Sequence, residues 1–125
     1  MEYRLFGKTG VEVSILGFGM MRLPILNNDP GQIDKAEATR MVRMAIDQGV
    51  NYIDTAYGYH KGQSEHFTRE ALGERKNDKV FLATKMPTYL VKEKADFERF
   101  FQEQKTKLGT DRIDMYLLHT LNQKR

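Results

Sequence analysis

The sequence predicts an α/β fold, namely part of a TIM (β/α)8 barrel in which an N-terminal β-hairpin precedes about four β/α units. Strand-like apolar runs alternate with amphipathic helical segments, which is typical of a parallel sheet covered by helices. Asp54, Lys85 and His119 each stand at the carboxyl end of a different predicted strand. The alternative, an open doubly wound sheet, needs a glycine-rich loop after its first strand, but residues 17–19 (Gly-Phe-Gly) lead to no third glycine and no prompt helix. The barrel is therefore favoured.

The chain is short for this architecture. Its 125 residues are enough for one domain, whereas a whole barrel takes about 250 residues. We therefore expect residues 1–125 to form a single N-terminal half of a barrel, with no second domain. The apolar run at 80–83 supports strands that are buried on both faces.

The first part of the chain predicts a hairpin, a strand and a loop. Residues 3–6 and 11–13 flank a glycine-containing turn at 7–10, a pattern typical of a β-hairpin. Residues 14–18 form a short apolar run that we expect to be a buried strand entering a loop. Residues 23–33 contain two prolines, two asparagines and a glycine, and this composition predicts a loop.

Helix signals follow. Asp34 with Glu37 three residues later resembles a capping box, and Gly49 supplies a stop. Apolar positions between them recur at helical spacing: Ala38, Met41, Val42, Ala45 and Ile46. Residues 50–55 then have the length and β-branching of a strand.

The same alternation recurs in the next unit. A loop at 58–63 precedes a helix that Ser64 is expected to cap and that ends at Leu72, where a glycine follows. A polar turn at 76–79 leads into an apolar strand at 80–84.

The last unit contains a third helix and a final strand. Asp96 is the expected cap and Gly109 the expected end. The predicted buried face of this helix consists of Phe97, Phe100, Phe101 and Leu108. Residues 113–118 form the last strand, and His119 comes just past it.

Composition excludes several classes of function. Apolar residues make up 40% of the chain and charged residues 30%, with a net charge of +3 in which both signs are interspersed, so we expect no nucleic-acid partner. The chain has no cysteine, which excludes disulfides, iron–sulfur clusters and thiol catalysis within it. No apolar run is long enough to span a membrane, and the first residues lack the pattern of a signal peptide. These features predict a cytoplasmic protein.

The polar residues at the strand ends suggest proton chemistry. A carboxylate at the end of a buried strand must be paired or solvated, and Lys85 at the next strand end can pair with Asp54. Tyr57 and Tyr59 follow closely. A tyrosine, with a pKa of about 10, is a poor acid at neutral pH, but a nearby lysine cation lowers that pKa, and His119 can polarise a carbonyl oxygen. Taken alone, Lys85, His119 and the two tyrosines are more often structural, as a solvated lysine, a satisfied histidine and rim aromatics, and a loop-fixing role is the alternative for Asp54. Their convergence on one barrel face favours a catalytic site.

Five stretches, in this order along the chain, resemble the aldo-keto reductase superfamily. They are residues 16–22 (LGFGMMR), 49–56 (GVNYIDTA), 59–65 (YHKGQSE), 83–85 (ATK) and 111–119 (DRIDMYLLH). One such stretch would be weak, whereas five in order are highly specific. The residues at 7–10 (GKTG) and 118–122 (LHTLN) further resemble a bacterial and archaeal branch of this superfamily. Members of that branch often carry a C-terminal ferredoxin-like iron–sulfur segment.

The resemblance implies a role for each polar residue. Asp54 matches the aspartate that pairs with the lysine, Lys85 the lysine that tunes the tyrosine, and His119 the histidine that orients the substrate carbonyl. Tyr59 matches the general acid, while Tyr57 sits at a variable position. The implied reaction is reversible reduction of an aldehyde or ketone to an alcohol, with hydride from NADPH or NADH and the proton from Tyr59. The implied partners are thus a small carbonyl compound and the nicotinamide cofactor, and no metal is needed.

The resemblance also implies where the cofactor lies. Gly19, Met20, Met21 and Arg22 belong to the first strand–loop, which in the family borders the nicotinamide end, and Asp54 lies at the same border. In the family, later β/α units supply most of the cofactor site, including the grip on the pyrophosphate. We therefore expect this truncated chain to carry the catalytic side chains but not the full chemistry.

A second reading is a non-catalytic half-barrel that acts as an interaction module or pseudoenzyme. A half-barrel exposes two sheet edges and an apolar inner face, and such surfaces favour pairing. This reading predicts self-association through the exposed edges.

Overall fold

A four-stranded parallel sheet forms the centre of the chain, and two small antiparallel hairpins flank it. The computed structural model describes residues 1–74 and 80–123. In chain order the elements are β1 (Tyr3–Leu5), β2 (Glu12–Ser14), β3 (Phe18–Gly19), β4 (Ile25–Leu26), β5 (Asp29–Ile33), α1 (Lys35–Asp47), β6 (Tyr52–Asp54), α2 (Ser64–Leu72), β7 (Phe81–Met86), α3 (Ala95–Leu108) and β8 (Met115–Leu118). Single 3-10 turns occupy Tyr59–Gly62 and Thr88–Leu90.

The central sheet has the order β3-β6-β7-β8, and all of its pairs are parallel. Chain neighbours in this sheet are therefore also spatial neighbours, joined by α1, α2 and α3 in turn. This arrangement is an arc of a (β/α) barrel and confirms the predicted fold class. Because the strands are parallel, their carboxyl ends share one edge, where the predicted polar residues lie.

The N-terminal hairpin is confirmed and lies at the opposite edge. β1 pairs antiparallel with β2, and Tyr3 is opposite Ser14. The Tyr3 hydroxyl donates to the carbonyl of Gly49 (2.8 Å), and the Ser14 amide donates to Asn51 Oδ1 (2.7 Å). Both acceptors lie just before β6, so the hairpin is bound to the amino end of this strand.

The predicted strand at 14–18 is wrong over most of its length. Only Phe18 joins the sheet, where it pairs with Ile53 in β6. Ser14 still belongs to the hairpin, and the next amide donates to the carbonyl of Glu2 (2.9 Å). Because the hairpin holds the chain this far, Ile15 stays exposed and the sheet begins later.

The predicted loop at 23–33 is also wrong, because it contains the β4–β5 hairpin. Asn27 and Asn28 both have φ of 54° and form its two-residue turn. Asparagine tolerates this left-handed conformation, and two such residues in sequence suit the turn type that matches the twist of paired strands. The Asn-Asn pair after an apolar dipeptide was the signal for a hairpin.

The three predicted helices exist, but two of the expected caps are wrong. Asp34 does cap α1, since its carboxylate accepts from the Glu37 amide (3.3 Å). The cap of α2 is Gln63 rather than Ser64, because the buried Ser64 hydroxyl contacts the Thr55 hydroxyl and the Met20 carbonyl instead.

In α3 the expected cap lies inside the first turn. The cap position is Lys94, and the Asp96 carboxylate accepts from the amides of Lys92 and Glu93 (2.8 and 3.2 Å). Phe97 is exposed rather than packed, and the buried face of the helix carries a polar Gln104. The predicted helix ends at Gly73 and Gly109 are correct, with φ of 51° and 64°. The predicted turn at 76–79 lies outside the described residues.

The hydrophobic core lies between the sheet and the first two helices. It consists of Met20, Leu23, Ile33, Ala38, Val42, Val50, Ile53, Phe67, Ala71, Leu72, Val80 and Leu82. Burial of these side chains fixes β6 and β7 against α1 and α2 and so fixes the strand ends that carry the site. Across residues 1–74 and 80–123, no helix combines the length and apolarity that crossing a membrane requires.

Candidate active site

The structure brings the predicted polar residues together at the carboxyl edge of the sheet. Asp54 is the last residue of β6, Lys85 lies near the end of β7, and His119 directly follows β8. The Lys85 ammonium donates to both carboxylate oxygens of Asp54 (2.9 and 2.8 Å) and to the carbonyl of Thr55 (2.8 Å). All three of its donor positions are thus filled by oxygen.

This ion pair is largely removed from solvent. The side chains of Lys85 and Asp54 are 12% and 31% exposed. A charge in such a setting is tolerated because it is paired and hydrogen-bonded. The lysine is therefore held as a fixed positive charge at the base of the site.

Tyr59 lies over this charge. The 3-10 turn after β6 carries it to a position where the Lys85 Nζ atom is 4.7 Å from the centroid of its ring. The rings of Tyr59 and His119 meet edge to face, with centroids 5.8 Å apart and planes at 90°. A phenol, an ammonium and an imidazole thus surround one point at the strand ends.

His119 is anchored by its backbone, and its imidazole faces the site. Its amide donates to the carbonyl of Met86 (3.0 Å), and its own carbonyl accepts from the Thr88 hydroxyl. The buried Nδ1 atom has no hydrogen-bond partner among the described residues. Burial and the nearby Lys85 charge hold the pKa of His119 below its usual value, although Asp54 opposes them. The neutral imidazole that results can present one N–H to an oxygen.

Tyr57 points away from this group. Its hydroxyl donates to Glu103 on α3 (3.0 Å), and its ring packs edge-on against Phe100, with centroids 5.3 Å apart. Burial and the Glu103 hydrogen bond raise the pKa of Tyr57. Of the two tyrosines that the sequence offered, the geometry joins Tyr59 to Lys85 and places Tyr57 against a helix.

The residues expected at the cofactor border divide into two kinds. Gly19 is the exposed last residue of β3, where it pairs with Asp54, and the exposed Met21 and Arg22 follow shortly after it. Met20 is fully buried in the core, and its amide donates to the carbonyl of Asp54 (2.8 Å). Met20 has no exposed surface in this chain, and its expected contact with a cofactor stays a prediction. It packs beneath the site and holds the adjoining strand ends together.

Sequence reasoning missed Tyr89. It lies in the turn after β7, and its ring meets His119 with centroids 5.8 Å apart and planes at 75°. A Cβ atom on Gly58 would lie 2.8 Å from the Tyr89 hydroxyl, so the glycine lets this tyrosine close against the Tyr59 turn. Tyr89 is four residues beyond Lys85, and its place in the loop after a strand end was the available signal.

A buried polar network supports the end of β7. Glu65 on α2 accepts from the Thr84 hydroxyl (2.7 Å) and from Gln104 Nε2 (3.0 Å), and the same Gln104 amide donates to the Lys85 carbonyl (2.7 Å). Burial raises the pKa of Glu65, while the Thr84 hydrogen bond and the charge of Lys107, 4.0 Å away, oppose the rise. The network ties both helices to the strand that carries Lys85.

The assembled groups can hold and deliver a proton. An ammonium stabilises negative charge on a neighbouring phenol oxygen, and a neutral imidazole N–H can orient an oxygen that is gaining charge. The arrangement suits reduction at a carbonyl carbon, where the oxygen must be protonated as the carbon gains two electrons.

Comparison with known proteins identifies the family of the chain. A model of the Aldo/keto reductase family matches residues 15–124. The chain is 35% identical to the aldo-keto reductase YhdN of Bacillus subtilis, over 95% of this chain and 38% of that protein. The chain thus spans about two fifths of the length of this relative.

Solved structures give the same result. An aldo-keto reductase from Bacillus halodurans in its holo form superposes with a TM-score of 0.73 at 32% identity, covering 94% of this chain and 40% of that one. An aldo-keto reductase from Klebsiella pneumoniae in complex with NADPH superposes with a TM-score of 0.73 at 28% identity, covering 88% of this chain and 36% of that one. The strand-end residues, the half-barrel architecture and the family match agree, and the chain belongs to the aldo/keto reductase family.

Proposed function

We propose that this chain supplies the catalytic side chains of an oxidoreductase that reduces an aldehyde or ketone to an alcohol with hydride from a nicotinamide cofactor. The observation that carries the proposal is the Lys85 ammonium, held by Asp54 and placed under the ring of Tyr59. This is an arrangement for proton delivery to an oxygen, and the family supplies the reaction in which such delivery is needed.

In this proposal each residue has a defined task. Tyr59 donates the proton to the carbonyl oxygen, and Lys85 stabilises the phenolate that remains. Asp54 holds Lys85 charged and in place. The neutral His119 imidazole orients the same carbonyl oxygen by a hydrogen bond. Such positioned proton transfer contributes a rate factor of about 10² to 10⁴.

The residues at the end of β3 fit a nicotinamide ring. Gly19 leaves open space beside the ion pair, since a Cβ atom there would meet nothing within 4 Å. Gly19, Met21 and Arg22 would hold the ring at this border, with Asp54 beneath it. When bound, the cofactor supplies the hydride. We propose NADPH as the first cofactor to test, because the Klebsiella pneumoniae relative was crystallised with it.

The chain matches only part of its relatives, so we propose that full activity requires the further β/α units that they carry. The test compares the 125-residue chain with the same chain joined to the C-terminal portion of the Bacillus subtilis relative. Oxidation of NADPH is followed with a panel of small aldehydes and ketones. We expect turnover in the joined chain and none in the short one. A joined, folded chain that binds NADPH but reduces no carbonyl compound would contradict the proposed function.

A second candidate function is self-association as a non-catalytic module, and one observation favours it. β8 lies at the edge of the sheet, where Leu117 and Leu118 are exposed next to an exposed Leu121. An apolar open edge is a template for pairing with a second copy. Size-exclusion chromatography with light scattering tests this candidate. A concentration-dependent dimer supports it, and a monomer at all concentrations counts against it.

A further inference from the structure

The residue after Tyr59 is a buried histidine that binds the other side of the chain through both of its ring nitrogens. His60 is only 6% exposed. Its Nε2 atom accepts from the amide of Leu23 (3.1 Å), and its Nδ1 atom lies 2.7 Å from the carbonyl oxygen of Pro30. A backbone amide can only donate and a carbonyl can only accept. The ring is therefore neutral, with its proton on Nδ1 and a lone pair on Nε2.

These partners belong to the β4–β5 hairpin and its entry. Leu23 lies just before β4, and Pro30 lies in β5. A second contact joins the same elements, because the Lys61 ammonium pairs with the Asp29 carboxylate (2.9 Å). The buried imidazole and the exposed ion pair together fix the turn to the hairpin.

The backbone of this turn needs such support. His60 has φ 52° and ψ 47°, and Lys61 has φ 52° and ψ 39°. A left-handed backbone conformation is disfavoured for residues that have a Cβ atom, and here two such residues adopt it in succession. Strained conformations of this kind persist when the surroundings over-determine them. Here the surroundings are the hairpin contacts, so the hairpin dictates the course of the chain just after Tyr59.

The same histidine also reaches the next helix. The His60 carbonyl accepts from the amide of Gln63 (3.0 Å), which is the cap residue of α2. Tyr59 thus stands between a strand end held by Lys85 and a turn held by the hairpin. Because the Tyr59 ring depends on the direction of this backbone, release of His60 would let the ring leave its place between Lys85 and His119.

We propose that His60 is a positioning residue of the reductase site: its neutral imidazole, bonded through both nitrogens to the β4–β5 hairpin side of the chain, fixes the turn that presents Tyr59. The effect on catalysis rests on the proposed function of Tyr59. The effect on the position of the Tyr59 ring does not, and it can be measured without turnover.

We call the two hydrogen bonds of the His60 ring, from the Leu23 amide and to the Pro30 carbonyl, the His60 clamp. Three substitutions separate its parts. His60→Ala removes both hydrogen bonds. His60→Asn keeps a donor near the Nδ1 position and suits the left-handed backbone, so it removes mainly the bond from Leu23. His60→Gln places an acceptor near the Nε2 position and removes mainly the bond to Pro30. The matched control is His66→Asn, which replaces an exposed histidine on α2.

The first measurement is NMR on the 125-residue chain and on the joined chain described above. Long-range ¹⁵N–¹H spectra report the ring tautomer of His60, and hydrogen exchange reports the protection of the Leu23 amide. A nuclear Overhauser effect between the Tyr59 and His119 rings reports their contact. We expect the Nδ1–H tautomer, a protected Leu23 amide and a ring contact that weakens in the order His60→Asn or His60→Gln, then His60→Ala.

The second measurement is steady-state kinetics on the joined chain. Misplacement of a reacting group by an ångström costs a rate factor of about a hundred. We therefore expect kcat to fall about a hundredfold in His60→Ala, with recovery in the Asn or Gln variant and little change in KM. His66→Asn should match the unsubstituted chain in every measurement.

The NMR and kinetic measurements distinguish failure of the positioning role from failure of the proposed function. An unprotected Leu23 amide in the unsubstituted chain, or a Tyr59–His119 contact that survives all three substitutions, would overturn the positioning role. An intact NMR result with no turnover in any chain would instead count against the proposed function and leave the clamp standing.

Discussion

The Nζ atom of Lys85 lies 4.7 Å from the centroid of the Tyr59 ring, and the two residues come from different β/α units. The phenol therefore meets a positive charge that its own loop does not supply. Since the donor positions of the ammonium are already taken by Asp54 and the Thr55 carbonyl, the charge acts on Tyr59 through its field.

Replacing the proposed acid tests this relationship first. In the joined chain, Tyr59→Phe should lower kcat for carbonyl reduction by a factor of about 10² to 10⁴, because the proton donor is lost. Binding of NADPH, measured by fluorescence, should stay within about twofold. The matched control is Tyr57→Phe, which should keep its turnover and lose about 0.5–1.5 kcal/mol of unfolding free energy with the Glu103 hydrogen bond. Full turnover in Tyr59→Phe would remove Tyr59 from the mechanism.

Removing one partner of the ion pair should destabilise the chain. Asp54→Asn leaves the Lys85 ammonium without its anionic partner in a site where it is 12% exposed. We expect the free energy of unfolding to fall by about 1–3 kcal/mol, below the loss for a fully buried pair because Asp54 is partly solvated. Denaturant titration of Asp54→Asn, Lys85→Met and the double variant measures the coupling. Additive losses in the double variant would mean that the pair contributes no interaction energy.

The pH dependence of turnover should include the protonation of His119. Burial and the Lys85 charge lower its pKa below the ordinary 6.5. The neutral imidazole should therefore persist below that pH, and the acidic limb of kcat/KM that belongs to His119 should lie there. Stability should also fall as the pH falls below the pKa of His119 in the unfolded chain. In that range the unfolded chain binds a proton at His119 that the native state does not bind. An NMR titration of His119 Cε1–H checks the assignment, and a midpoint at or above the ordinary value would contradict it.

For Glu65 we expect a pH dependence of stability with the opposite sign. Burial raises its pKa above the ordinary 4.5, so the native state keeps a proton that the unfolded chain has already lost. The free energy of unfolding should fall as pH rises from about that value through the raised pKa. Glu65→Gln should flatten this slope while it keeps an acceptor for Thr84. Denaturant melts at a series of pH values test the change, and an unchanged slope in Glu65→Gln would assign the slope to another group.

The contact between Gly58 and Tyr89 allows a test of the loop closure. Gly58 has an ordinary φ of −92°, so Gly58→Ala introduces no backbone strain. Its new Cβ would instead meet the Tyr89 hydroxyl at 2.8 Å, so this exposed side chain must shift, and we expect a cost of about 1 kcal/mol, at the low end for overpacking. Tyr89→Phe removes the oxygen that clashes, so the double variant should recover most of the loss. A double variant no more stable than Gly58→Ala would show that the clash lies elsewhere.

The order of elements was predictable because its signals are local. The cap at Asp34 and the glycine ends of the helices depend on a few neighbouring residues, and they were found correctly. The strand-end positions of Asp54, Lys85 and His119 followed from the parallel order alone. These parts of the fold and site need no knowledge of long-range contacts.

Several of the errors share one physical cause, which is competition from distant partners. Ser64 has the chemistry of a helix cap, but a buried position beside Thr55 directs its hydroxyl elsewhere. The buried Gln104 lies on the face of α3 for which the sequence predicts only apolar residues, and its partners are Glu65 and the Lys85 carbonyl. Such contacts join residues far apart in the sequence, and no local pattern encodes them.

The three oxygen acceptors around Lys85 have a chemical consequence for the proposed reduction of aldehydes. A free lysine amine attacks an aldehyde carbon and forms an imine, which would consume both enzyme and substrate. Here the two Asp54 oxygens and the Thr55 carbonyl occupy all three donor positions of the ammonium, and an ammonium nitrogen has no lone pair for that attack. In the proposed reaction, the contacts that place the charge would therefore also keep this lysine from reacting with an aldehyde.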